Sequence, residues 1–303
     1  SSRRGDILKN ARVAVHLIGR DAFDAGLSYH KRGAIVPDNF LADRLGIPAD
    51  ADNDRDILTS IVAGNNIYPN NLNSDPNIKT DMVVFAFRDL DFNNSDTIRL
   101  KSVSNPTGSP EIARLQTENA DGALPVNAND LYLIESDTSQ VGVVATGISG
   151  TNLIDIAPND PLNLNQAMDG INSDGSLLRQ CIDSSDQNCT TYLATMKRFF
   201  VVKYHVKPDG TLVRTVFGNN RGAVSPADQI QEFPLAYNVE NMQIQYVLKN
   251  GIVSENPVDL NLIRQVTVTL TVLSFAADEQ TNRLDRITIS STFSTRNLGY
   301  DAG

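Results

Sequence analysis

Histidine is scarce in this chain, and none of the common catalytic motifs accompanies it. The 303 residues include three histidines, His16, His30 and His205, which lie far apart in the sequence. The chain contains no G-x-S-x-G elbow, no P-loop, no H-E-x-x-H pair and no G-x-G-x-x-G turn. A lone histidine is more often structural or solvent-facing than a general base. These absences predict that the protein is not an enzyme and needs no cofactor, calcium being the one exception considered below.

Long apolar runs and basic clusters are also absent. No run of about 18 apolar residues occurs, so no segment of the given sequence is expected to span a membrane, and no cleavable signal peptide is visible. The net charge is −10, and no basic run is longer than two residues. Because phosphate binding needs clustered lysine and arginine, general nucleic-acid binding is not expected, and a DNA contact would need a local patch.

Cysteine is limited to two residues, Cys181 and Cys189, in the segment CIDSSDQNC. This spacing without a nearby histidine is poor for zinc. It favours a disulfide that closes a short polar loop in an oxidising compartment, worth about 2–3 kcal/mol by the loop-entropy model. Two free thiols in a cytosolic protein are the alternative.

The sequence does contain an amphipathic helix, predicted from about Asp6 to Phe23, with Asp6 as its N-cap and Gly26 after its end. Apolar residues recur every three or four positions, which places them on one face. The packing stripe consists of Ile7, Ala11, Ala14, Ile18 and Ala22. Because an isolated helix of this length is marginal in water, the stripe must pack on another element.

Most of the remaining pattern indicates β-strands. Strands are predicted at 80–89, 95–103, 129–136, 140–149, 197–206, 211–218, 233–251, 263–274 and 286–297. The polar stretches 27–80 and 105–190 predict long insertions, with possible short helices at 39–45 and 54–63. The fold class expected is α+β: one domain, 1–303, in which helix 1–26 packs on antiparallel sheet formed by the β-rich region 80–303.

Two acidic runs are candidates for calcium, because alternating carboxylates can converge on a hard cation. The candidate ligands are Asp50, Asp52 and Asp54 in the first run, and Asp89, Asp91 and Asn93 in the second. The first run departs from the EF-hand pattern, since Arg55 stands in the glycine position and Ile61 in the position of the bidentate glutamate. Solvated acidic turns are the alternative interpretation.

The N-terminal helix resembles a known family. The segment LKNARVAVHLIGRDAFDAGL, 8–27, is similar to the helix of PilW-type minor pilins of type IV pili, in which an N-A-R motif precedes an apolar helix ending in R-D and A-G. The matching positions are Asn10, Ala11, Arg12, Arg20, Asp21, Ala25 and Gly26.

Three closing segments resemble the same family, in the same order. PLAYNVENMQIQY, 234–246, is similar to its V-E-N segment, strand 263–274 to its penultimate strand, and TISSTFSTRNLGY, 288–300, to its last strand. The matching positions are Val239, Glu240, Asn241, Gln243, Gln245, Tyr246, Arg296 and Asn297. The leader peptide and the apolar first half of the family helix are not in the given sequence, as expected of a truncated, soluble piece.

The resemblance implies a pilin-like fold and a structural role in a complex that primes pilus assembly and sits at the tip. The implied partners are other minor pilins and the major pilin, with a large tip adhesin as a further candidate. The missing helix half would anchor the subunit in the inner membrane, facing the periplasm, before it joins the surface pilus. Alternatives are a J-type pseudopilin of type II secretion, or an adhesive tip module that binds DNA, glycan or calcium.

Overall fold

The computed structural model describes residues 2–118, 122, 124–136, 140–166, 194–274 and 282–297. In this part of the chain one long helix, α1, spans Ser2–Asp24. The helix begins before Asp6, so Asp6 lies inside its first turns and is not the predicted cap. Gly26 follows the helix with φ +88°, a left-handed conformation that glycine adopts without strain at helix ends.

Among the described residues, seventeen strands and several short helical turns follow α1. The strands are β1 Ala34–Val36, β2 Asp56–Leu58, β3 Ile61–Pro69, β4 Lys79–Arg88, β5 Ile98–Ser104, β6 Ala113–Thr117, β7 Leu131–Glu135, β8 Gln140–Val144, β9 Gly147–Ser149, β10 Leu153–Ile156, β11 Thr195–Val206, β12 Leu212–Phe217, β13 Ile230–Ala236, β14 Val239–Leu248, β15 Val253–Ser254, β16 Ile263–Leu273 and β17 Arg286–Ser294. The short turns are Leu41–Leu45, Phe92–Ser95, Pro226–Gln229 and Leu260–Leu262.

The described part of the chain is mostly β, with 44% of its residues in strands and 15% in helix, and its sheets are large. The predicted α+β, pilin-like fold, in which an N-terminal helix packs on antiparallel sheet with long loop insertions, is therefore wrong. The cause lies in the polar stretches, because β1, β2, β3, β6 and β10 form within them. The helix suggested at 54–63 is absent for the same reason, since β2 and β3 occupy this segment.

The larger sheet contains thirteen strands arranged around β11. The first part of β11 pairs with β5 and β7, and its last part pairs with β4 and β12. The predicted hairpin at 197–218 is confirmed as the antiparallel pair β11–β12. Its turn is closed by hydrogen bonds from Gly210 N to Lys207 O and from Lys207 N to Thr211 O, both 2.8 Å.

The smaller sheet has the order β15-β14-β16-β17 and is antiparallel throughout. Its strands alternate as the sequence predicts, with Met242, Ile244 and Tyr246 buried and Gln245 exposed. The other face carries hydroxyls in cross-strand pairs. Because one face is apolar and the other polar, the register of these strands is strongly fixed.

Helix α1 contacts both sheets, touching β4 and β13 of the larger and β16 and β17 of the smaller. The five residues of the predicted stripe, Ile7, Ala11, Ala14, Ile18 and Ala22, are each at most 3% exposed. They share one apolar core with β4, β11, β12, β14 and β16. In the part of the chain that the structure describes, no helix combines the length and apolar character needed to cross a membrane.

A buried carboxylate, Asp81 on β4, joins the two sheets. One of its oxygens accepts the backbone N–H of Asn66 at 2.7 Å, and the other accepts that of Ile244 on β14, also at 2.7 Å. Burial raises the pKa of Asp81 to about 6, although these two hydrogen bonds act to lower it. The proton therefore binds Asp81 more tightly in the folded protein than in the unfolded chain.

This pKa predicts a specific pH dependence of stability. The contribution from protonated Asp81 is fully present below about pH 4, where the unfolded side chain is also protonated, and is lost as the pH rises through about 6. Relative to the Asp81→Asn variant, the wild-type protein should lose about 2 kcal/mol of unfolding free energy between pH 4 and pH 7.5. Urea unfolding across this range measures the difference, with exposed Asp285→Asn as the control. Parallel pH profiles for wild type and Asp81→Asn would contradict the prediction.

Candidate functional site

The two ends of the chain meet where α1 lies against β16, β17 and the residues that follow β17; we call this contact region the seam. Gly19 of α1 faces the ring of Phe293, and a Cβ at Gly19 would lie 2.2 Å from a ring carbon. Gly26 faces the backbone after β17, and its Cβ would lie 2.6 Å from Arg296 O and from the Cα of Asn297. Gly26 has a φ of +88° and its close neighbours are backbone atoms, so the seam requires glycine there, whereas a side chain at Gly19 would force the ring of Phe293 to move.

Asn297 connects the seam to three other segments. Its amide nitrogen donates to Leu260 O at 3.0 Å and to Ile263 O at 3.1 Å, while its Oδ1 accepts the hydroxyl of Ser60 at 2.6 Å. Arg264 donates to the backbone oxygen of Asn297 at 2.6 Å. Both N–H donors and the oxygen of this buried side-chain amide are therefore hydrogen-bonded, and these bonds hold the end of β17 in place.

A buried ionic cluster lies under the helix. Asp21, 2% exposed, accepts hydrogen bonds at Oδ2 from the hydroxyl of Tyr204 and from Arg214 Nε at 2.8 Å. Burial raises the pKa of Tyr204, and the charge of Asp21 raises it further. Burial alone would lower the pKa of Arg214, but the bond to Asp21 raises it overall. The cluster is therefore an ion pair with a neutral tyrosine, which fixes α1 on the larger sheet.

The V-E-N segment opens β14 and contains a second ion pair. Glu240 binds Arg286 of β17 through two hydrogen bonds of 2.8 and 2.9 Å, the two-pronged geometry that suits arginine and carboxylate. Asn241 accepts a hydrogen bond from Gln243 at 2.9 Å. This segment therefore ties β14 to the far strand of the smaller sheet.

The residues that carry the resemblance fall into two groups. Asp21, Ala25, Gly26, Glu240 and Asn297 are inside the structure or against the seam. Ala11, Val239 and Tyr246 are also buried. The others lie wholly or partly at the surface, with Asn10, Arg12 and Arg20 on the outer face of α1 and Gln245 on the open face of the smaller sheet. The spacing of the sequence motifs indicated the helix and strands, but not that Gly26 and Asn297 would touch.

The acidic residues of the first candidate calcium run do not converge. The structure brings Asp50 together with Asp38 and Asp56, whose carboxylate oxygens lie within 4.8 Å of one another, and leaves Asp52 and Asp54 outside this group. Asp52 instead accepts the backbone N–H of Asp54 at 3.1 Å. Burial raises the pKa of Asp56, and the charges of Asp50 and Asp38 add to this. Asp38 was not among the predicted ligands because it lies in a different segment of the sequence.

The second acidic run is used internally. Asp89 binds Arg198 Nε at 2.6 Å, and its other oxygen accepts the backbone N–H of Asp91 at 3.0 Å. Calcium binding at either run stays a prediction. The predicted Cys181–Cys189 disulfide and the predicted hairpin turn at 137–139 lie outside the described residues.

Of the three histidines, His205 has the most unusual surroundings. It is buried beside the ring of Tyr68, at 4.8 Å between ring centroids, and follows Lys203 on β11. Burial lowers the pKa of His205 to about 4, and the charge of Lys203 lowers it further. Burial likewise lowers the pKa of Lys203 to about 8, and its ammonium donates to the hydroxyl of Tyr68. His16 lies exposed on α1, and His30 lies in the segment after it.

Comparison with known proteins gives no independent identification: no protein-family model matches the chain, and no curated protein matches it in sequence.

Proposed function

We propose that this chain is a structural subunit of a type IV pilus, a minor pilin that joins other minor pilins in the complex that starts filament assembly. The seam is the observation that carries the proposal. The segments that resemble the PilW-type family come from opposite ends of the chain, and they meet where Gly26 contacts Arg296 and Asn297. Motifs that are far apart in the sequence are expected to meet in the folded protein when their residues form one shared contact.

The outer face of α1 supports an assembly role. While the stripe faces the core, Val13 and Phe23 remain 52% and 47% exposed, among the charged side chains of Lys9, Arg12 and Arg20. Exposed apolar side chains within a polar rim are typical of protein–protein contact surfaces. This face is therefore available to neighbouring subunits without disturbing the core.

The proposed partners are other minor pilins and the major pilin, and a tip adhesin is a further candidate. The proposed location is the periplasmic face of the inner membrane before assembly and the surface pilus afterwards. A polymer subunit needs contact surfaces and no catalytic group, which agrees with the lack of catalytic motifs in the sequence.

Co-purification tests the proposal. The chain, joined to its membrane-anchoring segment, would be expressed with the minor pilins encoded beside it and recovered by an affinity tag. Wild type should retain its partners. Val13→Asp should reduce recovered partner by about tenfold, since it replaces an apolar contact with a carboxylate that must lose its hydration when the surface is buried.

The matched control is Val258→Asp, because Val258 is fully exposed outside the helices and strands and the substitution is chemically identical. Both variants should melt at the wild-type temperature. Recovery of no pilin partner by the wild-type protein would overturn the proposal. Equal losses from both valine variants would overturn the assignment of the contact to the outer face of α1.

A further inference from the structure

An open cleft of about 720 Å³ lies beside the C-terminal end of α1. Its walls come from the 26–31 segment after the helix, from the end of β4 with Arg88, from β11 with Lys197, and from Arg296 after β17. The cleft therefore adjoins the seam, and its size is within the range of ligand-binding clefts.

The cleft is strongly cationic, although the chain as a whole has a net charge of −10. Among the described residues, Lys31, Arg88, Lys197 and Arg296 line it, against a single carboxylate, Glu135. The C-terminal end of a helix adds only about half a negative charge. Positive charge is therefore in clear excess, and a concave surface with such an excess concentrates anions.

One of the four cations is neutralised within the cleft. Lys197, 6% exposed, donates to Glu135 at 2.7 Å and to the backbone oxygen of Ser28 at 2.5 Å. In the described part of the chain, no carboxylate oxygen lies within 4.0 Å of the side-chain nitrogens of the remaining three, Lys31, Arg88 and Arg296. Their charges are thus available to a ligand.

The two arginines are held in place by contacts that leave their charge uncompensated. Arg88 donates from Nη2 to Ser95 O at 2.6 Å, while its Nε is buried without an acceptor among the described residues. The guanidinium of Arg296 lies over the ring of Phe23, 4.4 Å from the centroid. Such a cation–π contact fixes a guanidinium without consuming its N–H donors.

The charged groups of the cleft also affect the pKa of His30, whose side chain lines the cleft. Burial lowers its pKa; the charge of Glu135 opposes this, and the charges of Arg32, Lys31 and Lys197 add to the lowering.

We propose that this cleft binds an acidic peptide segment of a neighbouring subunit through its carboxylates. Arginine guanidinium matches carboxylate in geometry, and two arginines with a nearby lysine can engage more than one acidic side chain. The open shape suits a chain segment that passes across it. Subunits as acidic as this one repel each other at long range, and a cationic cleft supplies the local attraction that specific contact needs. The identity of the partner rests on the proposed function, whereas binding of the peptide does not.

A direct binding measurement tests the cleft. The probe is a fluorescently labelled hexapeptide of alternating aspartate and alanine, titrated with the purified chain at low salt, and the control peptide carries asparagine for aspartate. The acidic peptide should bind and the neutral one should not, and binding should weaken as salt is added. Arg88→Gln and Lys31→Gln should each weaken binding by about threefold to tenfold. Lys101→Gln, which removes an exposed charge from β5, should leave it within about twofold.

Lys31 is exposed, so its variant retains the fold even if Arg88→Gln does not, and melting temperatures identify a variant that fails to fold. Absence of acidic-peptide binding, or equal weakening by Lys101→Gln, would overturn the proposal. Inorganic phosphate that competes with the peptide at equal concentration of charge would also overturn it, since the cleft would then be a small-anion site.

The two proposals can fail separately. Failure of peptide binding with normal recovery of pilin partners would overturn the peptide-binding proposal and leave the proposed function standing. Normal peptide binding without recovery of pilin partners would overturn the proposal of a pilus subunit and leave the peptide-binding proposal standing.

Discussion

Replacing Ile18 by aspartate should lower the free energy of unfolding by at least about 4 kcal/mol. Ile18 is fully buried in the core that α1 shares with both sheets. The substitution removes apolar contacts and places a carboxylate inside an apolar core. Urea unfolding followed by circular dichroism measures the change.

Two variants on the same helix separate burial from helix propensity. Val13→Asp introduces the same charged residue at a position that is 52% exposed, and should change the unfolding free energy by less than about 0.5 kcal/mol. Ile18→Val keeps the site apolar and should lower it by about 1 kcal/mol. If Ile18→Asp were as stable as Val13→Asp, the stripe would not be packed on the sheets in solution.

Replacing Asp21 by alanine should lower the free energy of unfolding by about 3–5 kcal/mol, because it leaves a mostly buried guanidinium without its counter-ion. Arg214 and the hydroxyl of Tyr204 both bind Asp21 Oδ2. Arg20 also lies 3.5 Å from Asp21, but its side chain is 57% exposed and contributes little. Thermal and urea unfolding of the purified variant measure the loss.

The partners of Asp21 provide the controls. Tyr204→Phe removes the hydroxyl, which donates to Asp21 Oδ2 and accepts from Arg214 Nε at 3.1 Å, and should lower the unfolding free energy by about 1–2 kcal/mol. Arg20→Gln should lower it by at most about 1 kcal/mol. Because Asp21 and Tyr204 are in direct contact, the double variant should lose less than the sum of the single losses. A loss below about 1 kcal/mol for Asp21→Ala would mean that the ionic cluster does not hold the helix.

The sequence revealed those parts of the fold in which local periodicity and tertiary burial agree. The stripe of α1, the hairpin of β11 and β12, and the alternation along β14 and β16 can all be predicted from residues close together in the chain. The short strands in the polar stretches could not. β3, for example, reads IVAGNNIYP, and Asn66 within it adopts φ +53°, so its irregular ladder hides the period of two.

The contacts around the candidate site depend on long-range pairing. The cluster of Asp38, Asp50 and Asp56 needs the fold to bring separate segments together. The cationic cleft likewise draws Arg88 and Arg296 from opposite parts of the sequence. No local sequence pattern identifies such residues, because each is a charged residue of a kind that is common on protein surfaces, and only the fold brings them together.

The joining of the two chain ends has a consequence for biosynthesis. Ser60 and Asn297, which share a hydrogen bond, are 237 positions apart. At about 5–20 residues per second, roughly 10 to 50 s separate the synthesis of these two residues. During that interval the apolar face of α1 has emerged without β16 and β17 to cover it. Completion of the native core therefore depends on segments made long after α1, and a chain that stalls before β16 and β17 leaves the apolar face of the helix exposed.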